Sequence, residues 1–207
     1  MNNNNRHAAM TVYSDPTCPL SHRTRIVLHE KNLDVNIIDI CEGSWPEDIL
    51  SINPSAISPT LIDRDVALFD SNIVISYLEE RFLQPTLMPN DPVSRASMRL
   101  MLYQIDNDWY SQWDTLSGKE KGTTSKARRM LQEDLTVLAP LFEQNRYFMS
   151  KEFSLLDCSL APLLWRLPAL NIKLPPKAKA IKDYAERIFK RNSFQASLSE
   201  FERAMRP

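Results

Sequence analysis

The alternation of apolar and polar positions divides the chain into a mixed first part and a helical second part. Four short runs of β-branched and apolar residues predict strands over 10–14, 35–40, 60–62 and 66–69, the second of them buried and the last two paired as a hairpin. Three helical patterns accompany them: one after Pro19, one over 44–50, and one capped by Asp70 or Ser71 that runs to about Phe82. The predicted order is β-α-β, a helix, and then β-β-α. In the helix after Pro19, we expect Arg23, Arg25 and Lys31 on the polar side.

The pattern changes after Phe82. The sequence LQPTLMPNDP contains three prolines and no helical period, which predicts a linker. Helical patterns then cover 93–116, 125–142, 155–167, 178–190 and 194–205. The sequence therefore predicts an α/β domain over 10–82, a linker over 83–92 and an all-helical domain over 93–207.

Composition narrows the possible partners. Of the 207 residues, 43% are hydrophobic and 25% are charged, which is ordinary for a soluble globular protein. A formal net charge of −1 argues against direct sequence-specific nucleic-acid binding, and no apolar run is long enough to predict a membrane span. The polar start MNNNNRHAAM is not typical of a signal peptide, and three cysteines without metal-type spacing suit a reducing cytoplasm.

Several kinds of site are excluded by the motifs that are missing. Only three glycines occur, and neither G-x-G-x-x-G nor G-x-x-x-x-G-K is present, so no standard nucleotide-phosphate loop is expected. H-E-x-x-H is absent, and three scattered histidines predict no metal site. One structural motif is sharp: in FSLLDCSLAPLLWRL, Ser154 and Asp157 have the spacing of a capping box, which predicts a core helix and a buried, unreactive Cys158.

Four stretches carry a family resemblance: YSDPTCPLSHRTRIVLHEK, SNIVISYLEERF, LMPNDPVSRA and FSLLDCSLAPLLWRL. Together they resemble the stringent starvation protein A family of proteobacteria, which has the glutathione S-transferase fold. The resemblance implies a thioredoxin-like domain followed by a helical one. It further implies a cytoplasmic, homodimeric transcription regulator of the stress response. Such a regulator binds RNA polymerase holoenzyme carrying the housekeeping sigma factor, without catalysis and without a cofactor.

Cys18 supports the alternative of an enzyme. It stands just before Pro19 at a predicted helix start, where the helix dipole and free N–H groups favour a thiolate. The sequence CPLS resembles a monothiol glutaredoxin motif or the start of an omega-type transferase, with Ser21 where a second cysteine would stand. The alternative function is therefore a glutathione-dependent transferase or thiol transferase that uses Cys18. His22 is expected at a helix surface or in an interdomain hydrogen bond, in preference to a Cys–His pair.

The resemblance to transferases also implies a glutathione pocket. In it, a cis Ser58–Pro59 bond would face the cysteinyl unit, and Asp70 with Ser71 would hold the γ-glutamyl end. The stretch NPSAIS lacks the Lys or Arg often used for the glycyl carboxylate. We therefore expect a vestigial pocket, made of Cys18, Ser58, Pro59, Asp70 and Ser71.

The turn Leu83-Gln84-Pro85 is the expected polymerase-binding surface. In the family that this chain resembles, the docking turn follows the ERF helix and commonly reads Pro-His-Pro, so only Pro85 matches. The alternative is an ordinary interdomain linker. Acidic residues concentrated over 30–48 and basic residues over 173–191 are expected to orient docking, if they are more than solvated helix faces.

Overall fold

The structure is a computed structural model that describes residues 10–41, 43–118 and 123–206. Its contacts divide the chain into two compact units. The first contains the described residues up to Pro85 together with Ala196–Ala204, and the second contains Thr86–Gln195 with Met205 and Arg206. A segment near the end of the sequence thus belongs to the first unit, which sequence patterns do not indicate.

The first unit has the predicted order of elements, and its thioredoxin-like α/β class is confirmed. The elements of the first unit are β1 (Thr11–Ser14), α1 (Pro19–Glu30), β2 (Asn36–Asp39), α2 (Glu47–Ile52), β3 (Thr60–Asp63), β4 (Val66–Phe69) and α3 (Ser71–Arg81). The later segment Ala196–Ala204 adds α11 (Glu200–Ala204). Asp70 caps α3 through its side chain, which accepts from the amides of Asn72 and Ile73.

The four strands form one mixed sheet in the order β2-β1-β3-β4. β1 pairs with β2 in parallel and with β3 antiparallel, and β3 pairs with β4 as the predicted hairpin. The strand predicted over 35–40 is present as β2, but its predicted burial was wrong, since all four residues of β2 are half-buried or exposed. β2 is an edge strand with a neighbour on one side only, whereas Val12 and Leu61 of the central strands are fully buried.

The second unit is helical, as predicted. It contains α4 (Pro92–Asp108), α5 (Trp113–Ser117), α6 (Thr124–Leu138), α7 (Leu141–Gln144), α8 (Leu155–Arg166), α9 (Lys179–Phe189) and most of α10 (Asn192–Ser197). Every residue of α8 is buried, which makes this helix the centre of the unit. None of the described helices is both long and apolar enough to cross a membrane.

Three predicted helices are interrupted, and the one expected over 125–142 is divided into α6 and α7 between Leu138 and Leu141. The helix expected over 93–116 ends at Asp108, and a 3-10 turn follows in which Tyr110 is buried and donates its hydroxyl to the Ser159 carbonyl at 2.7 Å. The helix expected over 194–205 stops at Ser197. A new helix then starts at Glu200, because Ser199 Oγ accepts from the Glu202 amide at 3.1 Å while the Glu202 carboxylate accepts from the Ser199 amide at 2.9 Å.

The start of α8 is fixed by Ser154 and Asp157. The Asp157 carboxylate accepts the Ser154 amide at 2.8 Å, and Ser154 Oγ accepts the Leu156 amide at 3.3 Å, in a capping box. The same carboxylate also accepts the Phe148 amide at 2.9 Å and the Tyr184 hydroxyl at 2.6 Å. Burial raises the pKa of Asp157, and these hydrogen bonds oppose that rise.

Candidate functional site

Cys18 is the N-cap residue of α1. Pro19 is the first helical residue, and the Cys18 carbonyl accepts the amide of His22 at 3.0 Å. The side chain makes no capping hydrogen bond and is half-buried. The thiol thus lies at the positive end of a twelve-residue helix and is not buried away, whereas Cys41 is exposed and Cys158 is fully buried.

Ser21 stands where a dithiol motif would have its second cysteine, and its hydroxyl group lies against that of Ser58. Ser21 Oγ and Ser58 Oγ lie 2.5 Å apart, and the Asp15 amide donates to both, at 3.3 and 2.9 Å. The Ser58–Pro59 peptide bond is cis, as expected. These contacts tie the loop before α1 to the loop before β3.

Of the two residues predicted to hold the γ-glutamyl end of glutathione, Asp70 is exposed and Ser71 is buried. The Asp70 side chain is exposed and caps α3, with its Oδ1 accepting the Asn72 amide at 2.8 Å. Ser71 is buried, and its hydroxyl accepts a hydrogen bond from the guanidinium of Arg23 on α1. This hydroxyl is already engaged by a buried cation of the protein.

Glutathione does not fit this set of residues completely. The cis-proline and the Asp70–Ser71 pair are present, but residues 53–58 supply no cation for the glycyl carboxylate. Because a carboxylate is held most strongly by charge-assisted hydrogen bonds, the glycyl end would be held weakly. No group of three or more His, Cys, Asp and Glu side chains among residues 10–41, 43–118 and 123–206 has the arrangement of a metal site.

His22 is buried, so of its two expected positions the helix surface was wrong, while a hydrogen bond to a residue of the predicted domain 93–207 is present. Its Nε2 is 3.0 Å from Ser197 Oγ, and its Nδ1 is 3.4 Å from the Glu202 carboxylate. Arg25 joins the same cluster, with Nη2 donating to both carboxylate oxygens of Glu202 at 2.7 and 2.8 Å. The cluster attaches Ala196–Ala204 to α1, which gives His22 a structural role.

The turn Leu83-Gln84-Pro85 is exposed along its length, with Leu83 at 72%. Its backbone is nevertheless held by the side chain of Lys31, the residue that follows α1. Lys31 Nζ donates to the Phe82 carbonyl at 2.7 Å and to the Pro85 carbonyl at 2.8 Å. The third partner is the Glu79 carboxylate on α3, at 2.7 Å. All three ammonium donors are therefore used, and the turn is anchored at both of its ends.

The comparisons with known proteins agree with this architecture. Residues 17–81 match the family described as glutathione S-transferase, N-terminal domain, and residues 85–192 match glutathione S-transferase, C-terminal domain. The stringent starvation protein A homolog of Coxiella burnetii is 43% identical over 205 residues, covering 97% of each chain. The homolog of Pasteurella multocida is 44% identical over 198 residues, covering 94% of this chain and 92% of that one. The chain belongs to the stringent starvation protein A family.

Solved structures place this family member among glutathione S-transferase folds. A glutathione S-transferase from the Antarctic clam Laternula elliptica aligns with a TM-score of 0.83 at 21% identity, covering 95% of this chain and 94% of that one. The glutathione transferase Omega 3C of Trametes versicolor aligns with a TM-score of 0.81 at 24% identity, covering 94% and 92%. At these identities the likeness concerns the fold alone.

Sequence reading of this stringent starvation protein A relative missed the residues that hold the site. Arg23, Arg25 and Lys31 were expected on a polar face, and all three are at most 4% exposed. Their partners Ser71, Glu202 and Glu79 lie 48 to 177 residues away in the chain. The sequence did contain one indication of this burial, the three long cationic side chains close together on α1 and at its end. If such a helix is covered on several sides, these cations need buried acceptors.

Proposed function

We propose that this protein is an RNA polymerase-associated regulator of transcription of the stringent starvation protein A type, which acts by binding and not by turnover. It works as a cytoplasmic homodimer in the stress response, uses no cofactor, and binds the holoenzyme that carries the housekeeping sigma factor. Membership of the family supports the role of transcription regulator, and the residues of the candidate site support action by binding without catalysis.

The anchored turn after α3 carries the proposal. Leu83, Gln84 and Pro85 present apolar and amide surface to solvent, while Lys31 holds the carbonyls that flank them. A binding surface that is already ordered loses less conformational entropy when a partner binds. An ordinary flexible linker would have no need of a fully buried lysine to fix its backbone.

The residues near Cys18 support action without catalysis. Ser21 replaces the second thiol of a dithiol mechanism, and its hydroxyl is bonded to Ser58. The glycyl end of glutathione has no cation among residues 53–58. The chain thus keeps the fold of a transferase but lacks parts of the transferase substrate site.

The homodimer is supported by an exposed apolar face on α4. Val93, Leu100 and Tyr103 are 77%, 58% and 65% exposed. Their spacing places them on one side of the helix, which is typical of a contact surface and not of scattered surface residues.

The direct test is association with purified bacterial RNA polymerase. Tagged protein is incubated with core enzyme and with holoenzyme, and the complexes are separated by size-exclusion chromatography. We expect co-elution with holoenzyme. The complex should contain one polymerase per dimer if one turn binds, and two if both turns bind. Absence of co-elution with holoenzyme, from protein shown to be folded and dimeric, contradicts the proposal.

The second candidate function is glutathione-dependent thiol transfer by Cys18. It is favoured by one observation, the half-buried thiol at the start of α1 that makes no capping hydrogen bond. Reduction of a mixed disulfide of glutathione, followed in wild type and in Cys18→Ser, separates the two functions. Turnover that depends on Cys18 would establish the enzyme.

A further inference from the structure

An apolar concavity of the second unit lies beside α9, and the stringent starvation protein function proposed above makes no use of it. It has a volume of about 480 Å³. Its walls come from the end of α8, the segment that follows it, and one face of α9. A volume of this order is within the range of small-molecule sites.

The walls are made of core side chains. Leu164, Leu167, Ile172, Ile181 and Phe189 line the cavity, and each is at most 7% exposed. Their positions are fixed by packing, because Phe189 stacks edge-on against Trp165 with ring centroids 4.9 Å apart. The apolar surface is therefore preformed, which favours an apolar ligand body.

The polar groups of the lining are mainly cationic. Lys173, Lys182 and Arg206 line the cavity against one carboxylate, that of Glu186. The two lysines and Glu186 are exposed, while Arg206 is half-buried. A neutral apolar ligand would gain nothing from this excess of positive charge, whereas an anionic headgroup would.

Arg206 is held in a fixed orientation. Its Nε and Nη2 donate to the carbonyls of Trp165 and Leu164, both at 2.9 Å, in the last turn of α8. The guanidinium carbon lies 4.9 Å from the Trp165 ring centre and 4.7 Å from that of Phe189. Nη1 makes no hydrogen bond within the described residues, so its two N–H groups remain for an acceptor. Burial lowers the pKa of Arg206, and a bound anion would offset that cost.

We propose that this cavity binds an amphipathic carboxylate, with its apolar body against Leu164, Ile181 and Phe189 and its carboxylate on Arg206. The two free N–H groups of Nη1 diverge from one nitrogen, so one of them donates a single charge-assisted hydrogen bond to the carboxylate. None of the residues that line the cavity belongs to the turn 83–85, so decanoate binding is tested independently of polymerase binding.

The test uses decanoate as the probe and isothermal titration calorimetry of the full chain. Hydrogen bonds to charged groups predict that Arg206→Met weakens decanoate binding by about tenfold or more. The matched control is Arg191→Met, which removes another arginine stacked on aromatic rings, 4.1 Å from the Phe153 ring centre and outside the cavity lining. It should leave decanoate affinity unchanged.

Two further measurements separate the headgroup from the apolar body. Decan-1-ol should bind wild type more weakly than decanoate, and Arg206→Met should not weaken it further. Ala185→Leu places a larger side chain in the cavity wall and should reduce the binding of both ligands, with the fold checked by circular dichroism. Saturable decanoate binding that is weakened by about tenfold or more in Arg206→Met and reduced in Ala185→Leu supports the site. Equal decanoate affinity in wild type and Arg206→Met, equal losses in the two arginine variants, or no saturable binding overturns it.

Discussion

Lys31 and Glu79 form a buried ion pair, with Nζ and the carboxylate oxygen 2.7 Å apart. The Lys31 side chain is fully buried, and that of Glu79 is 4% exposed. The pair joins the end of α1 to α3, and the same ammonium holds the carbonyls of Phe82 and Pro85. One side chain thus connects the packing of the thioredoxin-like unit to the exposed turn where we propose that polymerase binds.

The first prediction concerns the substitution Lys31→Met. It removes the Lys31 cation from beside the buried Glu79 carboxylate, which should lower the free energy of unfolding by about 3–5 kcal/mol. It also removes the donor to both turn carbonyls, so polymerase association should be lost. Urea denaturation and co-elution with holoenzyme measure the two effects.

The double variant Lys31→Met/Glu79→Gln separates stability from docking. Glu79→Gln removes the buried negative charge that Lys31 balanced, so the double variant should regain much of the lost stability. It does not restore a donor to the turn and should still fail to bind polymerase. Recovery of polymerase binding together with stability would show that Lys31 does not position the turn.

The second prediction is a pH dependence centred on Asp63. Its Oδ2 accepts the Tyr77 hydroxyl at 2.6 Å and Arg81 Nε at 2.8 Å, and these bonds, that of Tyr77 first, lower the pKa of Asp63. A carboxyl whose pKa is lowered by folding stabilises the protein above its unfolded pKa of 3.8 and loses that contribution as pH falls through the folded value. Tyr77→Phe should therefore cost about 1 kcal/mol near neutral pH, and less below pH 3.8.

Tyr13→Phe is the control for this measurement. Tyr13 belongs to the same unit, is half-buried, and its hydroxyl makes no hydrogen bond within the described part of the chain. Its removal should change stability little at any pH. A loss in Tyr77→Phe that does not shrink as the pH falls from 7 through the range in which the folded Asp63 is protonated, below 3.8, would contradict the role assigned to the ionised Asp63.

The fold was predictable where local signals and the core agree. The apolar runs on either side of Asp63–Asp65 predicted the hairpin, and Asp70 predicted the start of α3. Both predictions held because capping and hairpin pairing act over a few residues. The break at Ser199 was missed although Ser199 and Glu202 have capping-box spacing. The apolar period of the region 194–205 outweighed that signal, and only the contacts of Glu202 with His22 and Arg25 show why the helix restarts there.

The site was predictable only in part. The exposure of Leu83 and the cis Ser58–Pro59 bond agree with expectation. The burial of Arg23, Arg25 and Lys31 does not, since the charge of a side chain predicts exposure unless its partners are known. Those partners are brought together by tertiary folding, and a single sequence contains no direct record of such pairings.

The third prediction concerns Cys18 and glutathione. If the pocket is vestigial, millimolar glutathione should not raise the melting temperature, and Cys18→Ser should leave dimerisation and regulation unchanged. A ligand at a hundredfold excess over its dissociation constant would stabilise the folded state by about 2.7 kcal/mol, which a thermal shift detects readily. A clear shift in wild type that is absent from Cys18→Ser would support the thiol transferase instead.

The last prediction concerns the turn itself. The variant Leu83→Ala/Gln84→Ala/Pro85→Ala removes exposed side chains, so it should remain folded and dimeric while losing association with holoenzyme. The matched control is Val137→Ala, which removes an apolar side chain of similar exposure, 77%, from α6. This control should bind as wild type does. Raised salt should weaken the wild-type complex, if the acidic and basic stretches of the chain orient docking. Wild-type co-elution of the triple variant, with circular dichroism unchanged, would remove the turn as the polymerase-binding surface.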